Sequence, residues 1–311
     1  MSPKVEVVLK NVTSTQGEGP HWEGDTQTLV FVDIMAGDVL KYHPGTGQQS
    51  KVHVGAPVGF VVPRKKGGYV IAAGRSLSLL DWDKQTVTSL GEVDVGSGNR
   101  INDGKCDASG RLWAGTMGPP VEPASTRPNY IPKRGSLYSL DLGGKITQKI
   151  KEVTLSNGLT WSENNKTMFY IDSPTRRVDM FDFDLETGDL ANRRVCVDFD
   201  TFPEFRGSPP PFPDGMTVDT QGKLWVACYF GSCVARFDPE TGSMLQTVEI
   251  PNAERVTSVC WGGSNLDQLY VTTSRRGVTD EEFATTQGLA GSLFRVTGLG
   301  CKGLPANVYE G

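Results

Sequence analysis

Four stretches of the chain repeat one arrangement: an oxygen-bearing side chain, a glycine, and further on a turn leading into an apolar strand. They are "GEGPHWEGDTQTLVFVD" from Gly17, "NDGKCDASGRLWAGT" from Asn102, "SNGLTWSENNKTMFYID" from Ser156 and "PDGMTVDTQGKLWVA" from Pro213. Glu18 leads Leu29 by 11 residues, Asp103 leads Leu112 by 9, Asn157 leads Met168 by 11 and Asp214 leads Leu224 by 10. A lone Asp-Gly or Asn-Gly pair is only a turn signal. A turn, however, does not need the same place in every repeat. Side chains at one level of repeated strands converge if the repeats surround an axis. Carboxylates meeting there repel unless a cation holds them, and carboxylate and amide oxygens suit a hard cation such as Ca²⁺, Mg²⁺ or Mn²⁺. The three histidines, His21, His43 and His53, show no zinc-motif spacing. Spacing alone leaves Glu18, Asn102, Asp103, Asn157 and Asp214 all open as ligands.

Arg100 and Asn102 lie two apart in "NRIND", so a strand points both the same way. A guanidinium beside an amide can grip a hydroxylated or anionic substrate; the competing reading of Arg100 is a structural salt bridge. His21 reads as a residue packed between repeats. Asp219 reads as a turn residue ahead of a strand, and Asp219→Asn is expected to cost little activity.

The elements that must position these groups are strands. Six cores align, "TLVFVD" at 28, "GYVIAA" at 68, "RLWAGT" at 111, "TMFYID" at 167, "KLWVAC" at 223 and "QLYVTT" at 268, at the period of a propeller blade. Several lead into a second strand with period-two alternation, such as "VDMFDFD", and a Gly-containing turn. No window gives a long amphipathic helix. The expected fold is all-β: one six-bladed β-propeller over residues 1–311, with a divalent metal in its central channel. "VEVVL", Val5 to Leu9, precedes the first repeat and is expected to close the ring by pairing with the last blade. Two Pro-rich stretches, Met117 to Gly135 and Asp200 to Gly215, are long enough to be lids or binding walls.

Composition excludes some partners. Lys and Arg number 31 against 36 Asp and Glu, a net charge of −5 with no basic run, so neither nucleic acid nor a membrane is expected. "MSPKVEVVLKN" lacks the apolar core of a signal peptide. Six cysteines without a Cys-x-x-Cys pair are expected to be reduced, in a cytoplasmic protein. A monomer is expected.

The motifs "GEGPHW", "NRINDGKCDASGRLWAGTM", "SNGLTWS", "VDMFDFDLETG", "PDGMTVDTQGKLWVACY" and "LYVTTSRRG" resemble the regucalcin (senescence marker protein) and gluconolactonase family across the whole chain. The resemblance implies a six-bladed propeller with one divalent cation (Ca²⁺, Zn²⁺, Mn²⁺ or Mg²⁺, Ca²⁺ foremost). It implies Glu18, Asn157 and Asp214 as metal ligands, Arg100 and Asn102 as substrate contacts, and Asp214 as general acid/base. The implied activity is a hydrolase opening sugar lactones such as gluconolactone. Alternatives are a hydrolase resembling luciferin-regenerating enzyme or acting on organophosphates, with apolar lining from Met117 to Tyr130, or a calcium-binding regulatory protein without turnover. One departure stands out. The family has a further acidic contact after "AGTM", where this chain reads "GPPVEP", with Pro120 aligned and Glu122 nearby.

Overall fold

The computed structural model describes residues 2–120 and 130–311. Six four-stranded antiparallel sheets follow one another along the chain. The innermost strands are Gly17–Glu23, Val58–Pro63, Arg100–Cys106, Ser156–Trp161, Phe212–Val218 and Val256–Gly262. Each packs beside the next, and the sixth packs beside the first. The sheets are therefore the blades of a closed six-bladed β-propeller, numbered here 1 to 6.

Blade 6 takes its outermost strand from the other end of the chain. Lys4–Leu9 pairs antiparallel with Leu293–Thr297, with Lys4 opposite Thr297 and Val7 opposite Phe294. The expected closure by Val5 to Leu9 is what the structure shows. This pairing covers a strand edge that would otherwise stay open.

The core is divided into six wedges, one at each junction between blades. Strand alternation supplies both faces of a blade. In Thr28–Asp33 of blade 1, Val30 and Val32 pack toward Val58, Val61 and Ile71 of blade 2. Leu29 and Phe31 pack the other way, toward Cys260, Tyr270 and Leu293 of blade 6. Burial on both faces explains why the second strand of each repeat reads as a nearly unbroken apolar run.

Turns at the far ends of the innermost strands are fixed by buried aspartates. Asp219 is fully buried; Oδ1 accepts from the backbone N–H of Gln221 (2.8 Å) and Lys223 (3.0 Å). Its Oδ2 accepts from Trp225 Nε1 (3.0 Å) and from Nε and Nη2 of Arg236 (2.8 and 2.6 Å). Asp107 holds Ser109, Arg111 and Trp113 in the same way in blade 3. The residue turns the chain, as expected, and it also carries a buried ion pair, a structural role that the turn reading did not include.

The segment after Leu293–Thr297 runs along this same far face. Lys302 O accepts from Thr220 N of blade 5, and Gly303 N donates to Leu266 O of blade 6. Asn307 then donates to Cys106 O of blade 3, and Tyr309 exchanges backbone hydrogen bonds with Pro63 and Lys65 beside blade 2. All six cysteines are free and buried. Among the described residues no helix is long and apolar enough to cross a membrane.

Candidate metal centre

Every innermost strand slips once in register near its start. The slips fall between Glu18 and His21, Val58 and Val61, Ile101 and Asp103, Ser156 and Leu159, Pro213 and Met216, and Val256 and Ser258. Each inserts one extra residue, a β-bulge, which bends the strand and re-aims its side chains. Equivalent regular pairs ahead of the slip include Gly17 with Asp33, Ile101 with Thr116, Ser156 with Asp172 and Pro213 with Cys228. The residues that follow those pairs form one level of the channel: Glu18, Gly59, Asn102, Asn157, Asp214 and Thr257.

This register corrects one expectation. Asn102 is the blade 3 residue equivalent to Glu18, Asn157 and Asp214; Asp103 stands one place further on. There its Oδ1 accepts from Gly104 N at 2.7 Å. The glycines after the oxygen-bearing residues also find their reason here, because in blades 4 and 5 they lie within strands. A Cβ on Gly158 would fall 2.6 Å from Asp214 O and 2.7 Å from Met216 N. One on Gly215 would fall 2.0 Å from Ser258 Oγ. Neighbouring innermost strands approach too closely for a side chain, and that closeness brings the preceding oxygens together.

A hydrogen-bond relay across three blades orients the amides. Arg100 Nη1 donates to Asn102 Oδ1 (2.8 Å), and Asn102 Nδ2 donates to Asn157 Oδ1 (3.1 Å) and Ser156 O (2.9 Å). Asn157 Nδ2 donates to Ser173 Oγ (2.8 Å), whose hydroxyl donates to Pro213 O (2.6 Å), next to Asp214. With its nitrogen committed to Ser173, Asn157 keeps its oxygen toward the ring. Arg100 makes no ion pair among the described residues.

The carboxylates are not satisfied in this way. Glu18 and Asp214 are buried, and Glu18 Oε1 and Asp214 Oδ1 have no hydrogen-bond partner among the described residues. Glu18 Oε2 accepts from Gly19 N, at 3.0 Å. Burial, and then the charge of Asp103, push the Glu18 carboxyl up to about 8. Burial, and then the charges of Glu18 and Asp103, push Asp214 well above the usual carboxylate range. Burial also raises Asp103. Isolated buried carboxylates are costly, and a bound cation reverses that cost. Two orphaned anionic oxygens beside an oriented amide oxygen fit a hard divalent ion. Among the described residues no three His, Cys, Asp or Glu side chains form a metal cluster; the set here is two carboxylates and an amide.

Below this level lies a layer that the motif reading missed. Lys105, three residues past Asn102, donates from Nζ to Met216 O of blade 5 at 2.8 Å, reaching from blade 3. Burial lowers its pKa, against the opposing pull of Asp103. His21 is buried with Nε2 unpartnered among the described residues, and burial first, then Lys105, hold it down to about 3. It is buried, as a packing histidine would be, in the layer that Lys105 occupies. Only its place in "NDGKC" could have signalled Lys105.

Around the mouth, Arg176 anchors the Pro-rich stretch after Asp200. Its Nε donates to Asp200 (2.7 Å), its Nη2 to Phe205 O (3.0 Å), and its Nη1 to Pro211 O. The stretch is a tethered wall. In the other loop, Pro120 and Tyr130 form a short antiparallel bridge; Glu122 lies outside the described residues.

Propeller and buried oxygen cluster together define a class: six-bladed rings whose innermost strands bring oxygen-bearing side chains together at one level of the channel. A family model described as "SMP-30/Gluconolactonase/LRE-like region" matches residues 16–275. Regucalcin of Xenopus laevis is 42% identical over 311 residues, covering 100% of this chain and 99% of its own. A luciferin-regenerating enzyme structure superimposes with a TM-score of 0.88 at 35% identity, covering 99% of this chain and 100% of its own. A calcium-binding protein, regucalcin, from Agrobacterium tumefaciens gives a TM-score of 0.85 at 23% identity, covering 98% and 96%, a likeness of fold. The chain belongs to the SMP-30/gluconolactonase/LRE-like family.

Proposed function

We propose that the protein is a metal-dependent hydrolase that opens sugar lactones. The observation that carries this reading is the pair of buried, unpartnered oxygens, Glu18 Oε1 and Asp214 Oδ1. Glu18, Asn157 and Asp214 would hold one divalent cation, with Ca²⁺ the first candidate; the family description, the regucalcin name of the relative and the oxygen-only donors support it. Such a cation, when bound, polarises an ester carbonyl and acidifies water. Asp214, whose Oδ1 is free, takes the proton of the attacking water and returns it to the ring oxygen as the lactone opens. Arg100 and Asn102, locked to each other at 2.8 Å, orient the sugar hydroxyls. Burial keeps bulk water from competing for these groups.

The test is substitution at constant shape. Asp214→Asn keeps an oxygen and removes the base and one charge. Since general-base catalysis contributes about 10²- to 10⁴-fold, turnover of gluconolactone should fall by at least the lower figure, with the fold intact by circular dichroism. A variant retaining more than about a tenth of wild-type turnover at saturating metal lies outside that range and removes Asp214 as the base. Full activity in chelator-treated wild type refutes the metal. Metal binding without turnover of any lactone would favour a calcium-binding protein instead.

A further inference from the structure

Two residues ahead of the channel level, where the chain enters each innermost strand, the blades carry Gln16, Pro57, Arg100, Leu155, Phe212 and Arg255. A shared backbone bond marks the position. Ser274 N donates to Arg255 O just as Ile34 N donates to Gln16 O and Ser173 N to Leu155 O. Arg255 is thus the blade 6 counterpart of Arg100 in blade 3, and in a ring of six these blades face each other. The repeat pattern did not expose it, because this position varies freely from blade to blade.

Arg255 is only 3% exposed. Its Nη2 donates to Gly277 O at 3.1 Å, and its guanidinium lies 5.1 Å from the centre of the Phe230 ring. Glu254 stands 3.7 Å from Nη1, and its carboxylate accepts from Gln287 at 3.1 Å. Nε and Nη1 of Arg255 have no hydrogen-bond partner among the described residues. A buried guanidinium with two donor nitrogens lacking hydrogen bonds, one of them only ion-paired at 3.7 Å, is costly unless a ligand completes it. Arg276, in the loop that holds Gly277, makes no ion pair among the described residues and lies near enough to Arg100 for their charges to oppose. Arg100 and Arg255 thus enter from equivalent positions of opposite blades, with Arg276 near Arg100, and Arg255 has one ion pair among the described residues, to Glu254. Arginine matches carboxylate and phosphate oxygens.

We propose that the substrate is a lactone bearing an additional anionic group, carboxylate or phosphate, which Arg255 and Arg276 receive opposite Arg100. The proposal rests on the lactonase reading and narrows it. The experiment compares kcat/KM for glucono-lactone, the monolactone of glucaric acid and 6-phosphogluconolactone, in wild type, Arg255→Met and Arg255→Lys. One charge-assisted contact predicts a preference for the anionic lactones of about 10- to 100-fold. The ratio of anionic to neutral kcat/KM should collapse in Arg255→Met and recover in part in Arg255→Lys. A ratio is insensitive to loss of folded protein. The carboxylate and phosphate substrates separate the two sources of charge. Equal kcat/KM on all three lactones, or an unchanged ratio in Arg255→Met, overturns the proposal while leaving lactone hydrolysis standing. If no lactone is turned over, the lactonase reading fails by itself. Calorimetry with glucarate and 6-phosphogluconate against gluconate then decides the subsite: tighter binding of the more highly charged ligands, lost in Arg255→Met, upholds it, and equal binding overturns it.

Discussion

For chelator-treated protein, raising the pH from 5 to 8 should lower the melting temperature by about 10 °C. The reasoning starts at Glu18. In the unfolded chain its carboxyl ionises near 4.5, and in the metal-free site only near 8. Below 4.5 both states hold the proton, and the site carries no pH-dependent penalty. Between 4.5 and 8 the unfolded chain releases a proton that the folded protein keeps, so stability falls as the pH rises. At about 1.4 kcal/mol per pH unit, that window amounts to about 5 kcal/mol, a large part of the roughly 5–15 kcal/mol that holds a domain together. Asp214 and Asp103, also raised, act in the same direction. Carboxyls held low by exposed partners, such as Asp182 and Glu282, act at more acid pH. A bound cation favours the ionised carboxylates and should flatten the dependence. The assay is thermal melting followed by circular dichroism, on chelated and Ca²⁺-loaded protein at matched ionic strength. Asp214→Asn should flatten the chelated curve as well, by removing one of the raised carboxyls. Equal melting of chelated protein at pH 5 and 8, or an equally steep fall with the cation bound, would refute the electrostatic account of the site.

Asp219→Asn should lower the melting temperature by about 10 °C, because removing one partner of a buried ion pair costs about 3–5 kcal/mol; an unchanged melt by calorimetry would contradict its role. Deleting residues 1–10 uncovers the Leu293–Thr297 edge and should give a much lower melting temperature and self-association on size exclusion; a monomer with the wild-type melt would place closure elsewhere. Gly59→Ala puts a methyl 2.5 Å from Asn102 O and 2.6 Å from Ile101 O. It should cost about 1–3 kcal/mol and disturb Asn102, seen as a lower melt and a raised KM; a silent substitution would mean that the strands can separate.

The fold was legible because both faces of every blade are buried, so the same apolar run must recur six times. Closure by Val5 to Leu9 was legible because a strand without a repeat needs a partner. The ring of oxygens was only partly legible. Offsets of 9 to 11 residues hid the bulge that defines the level, and so Asp103 looked equivalent to Asn157 when Asn102 is. The importance of Asp219 was invisible in "DTQGKLW", since Arg236, its main partner, arrives from the neighbouring strand. Arg255 was hidden for a related reason. Its meaning comes from standing across the channel from Arg100, which no local pattern encodes.

The ring is held shut at two places: by the strand formed from opposite ends of the chain, and by the segment from Lys302 to Tyr309 that ties together the far ends of blades 6, 5, 3 and 2. An open stack of repeats can fray from either end, one unit at a time. Here no blade is terminal, and the first to open must expose two apolar wedges at once. Partial unfolding is therefore suppressed relative to complete unfolding. The slowest-exchanging amides should be spread over all six blades with similar protection, rather than graded from one end of the sequence to the other.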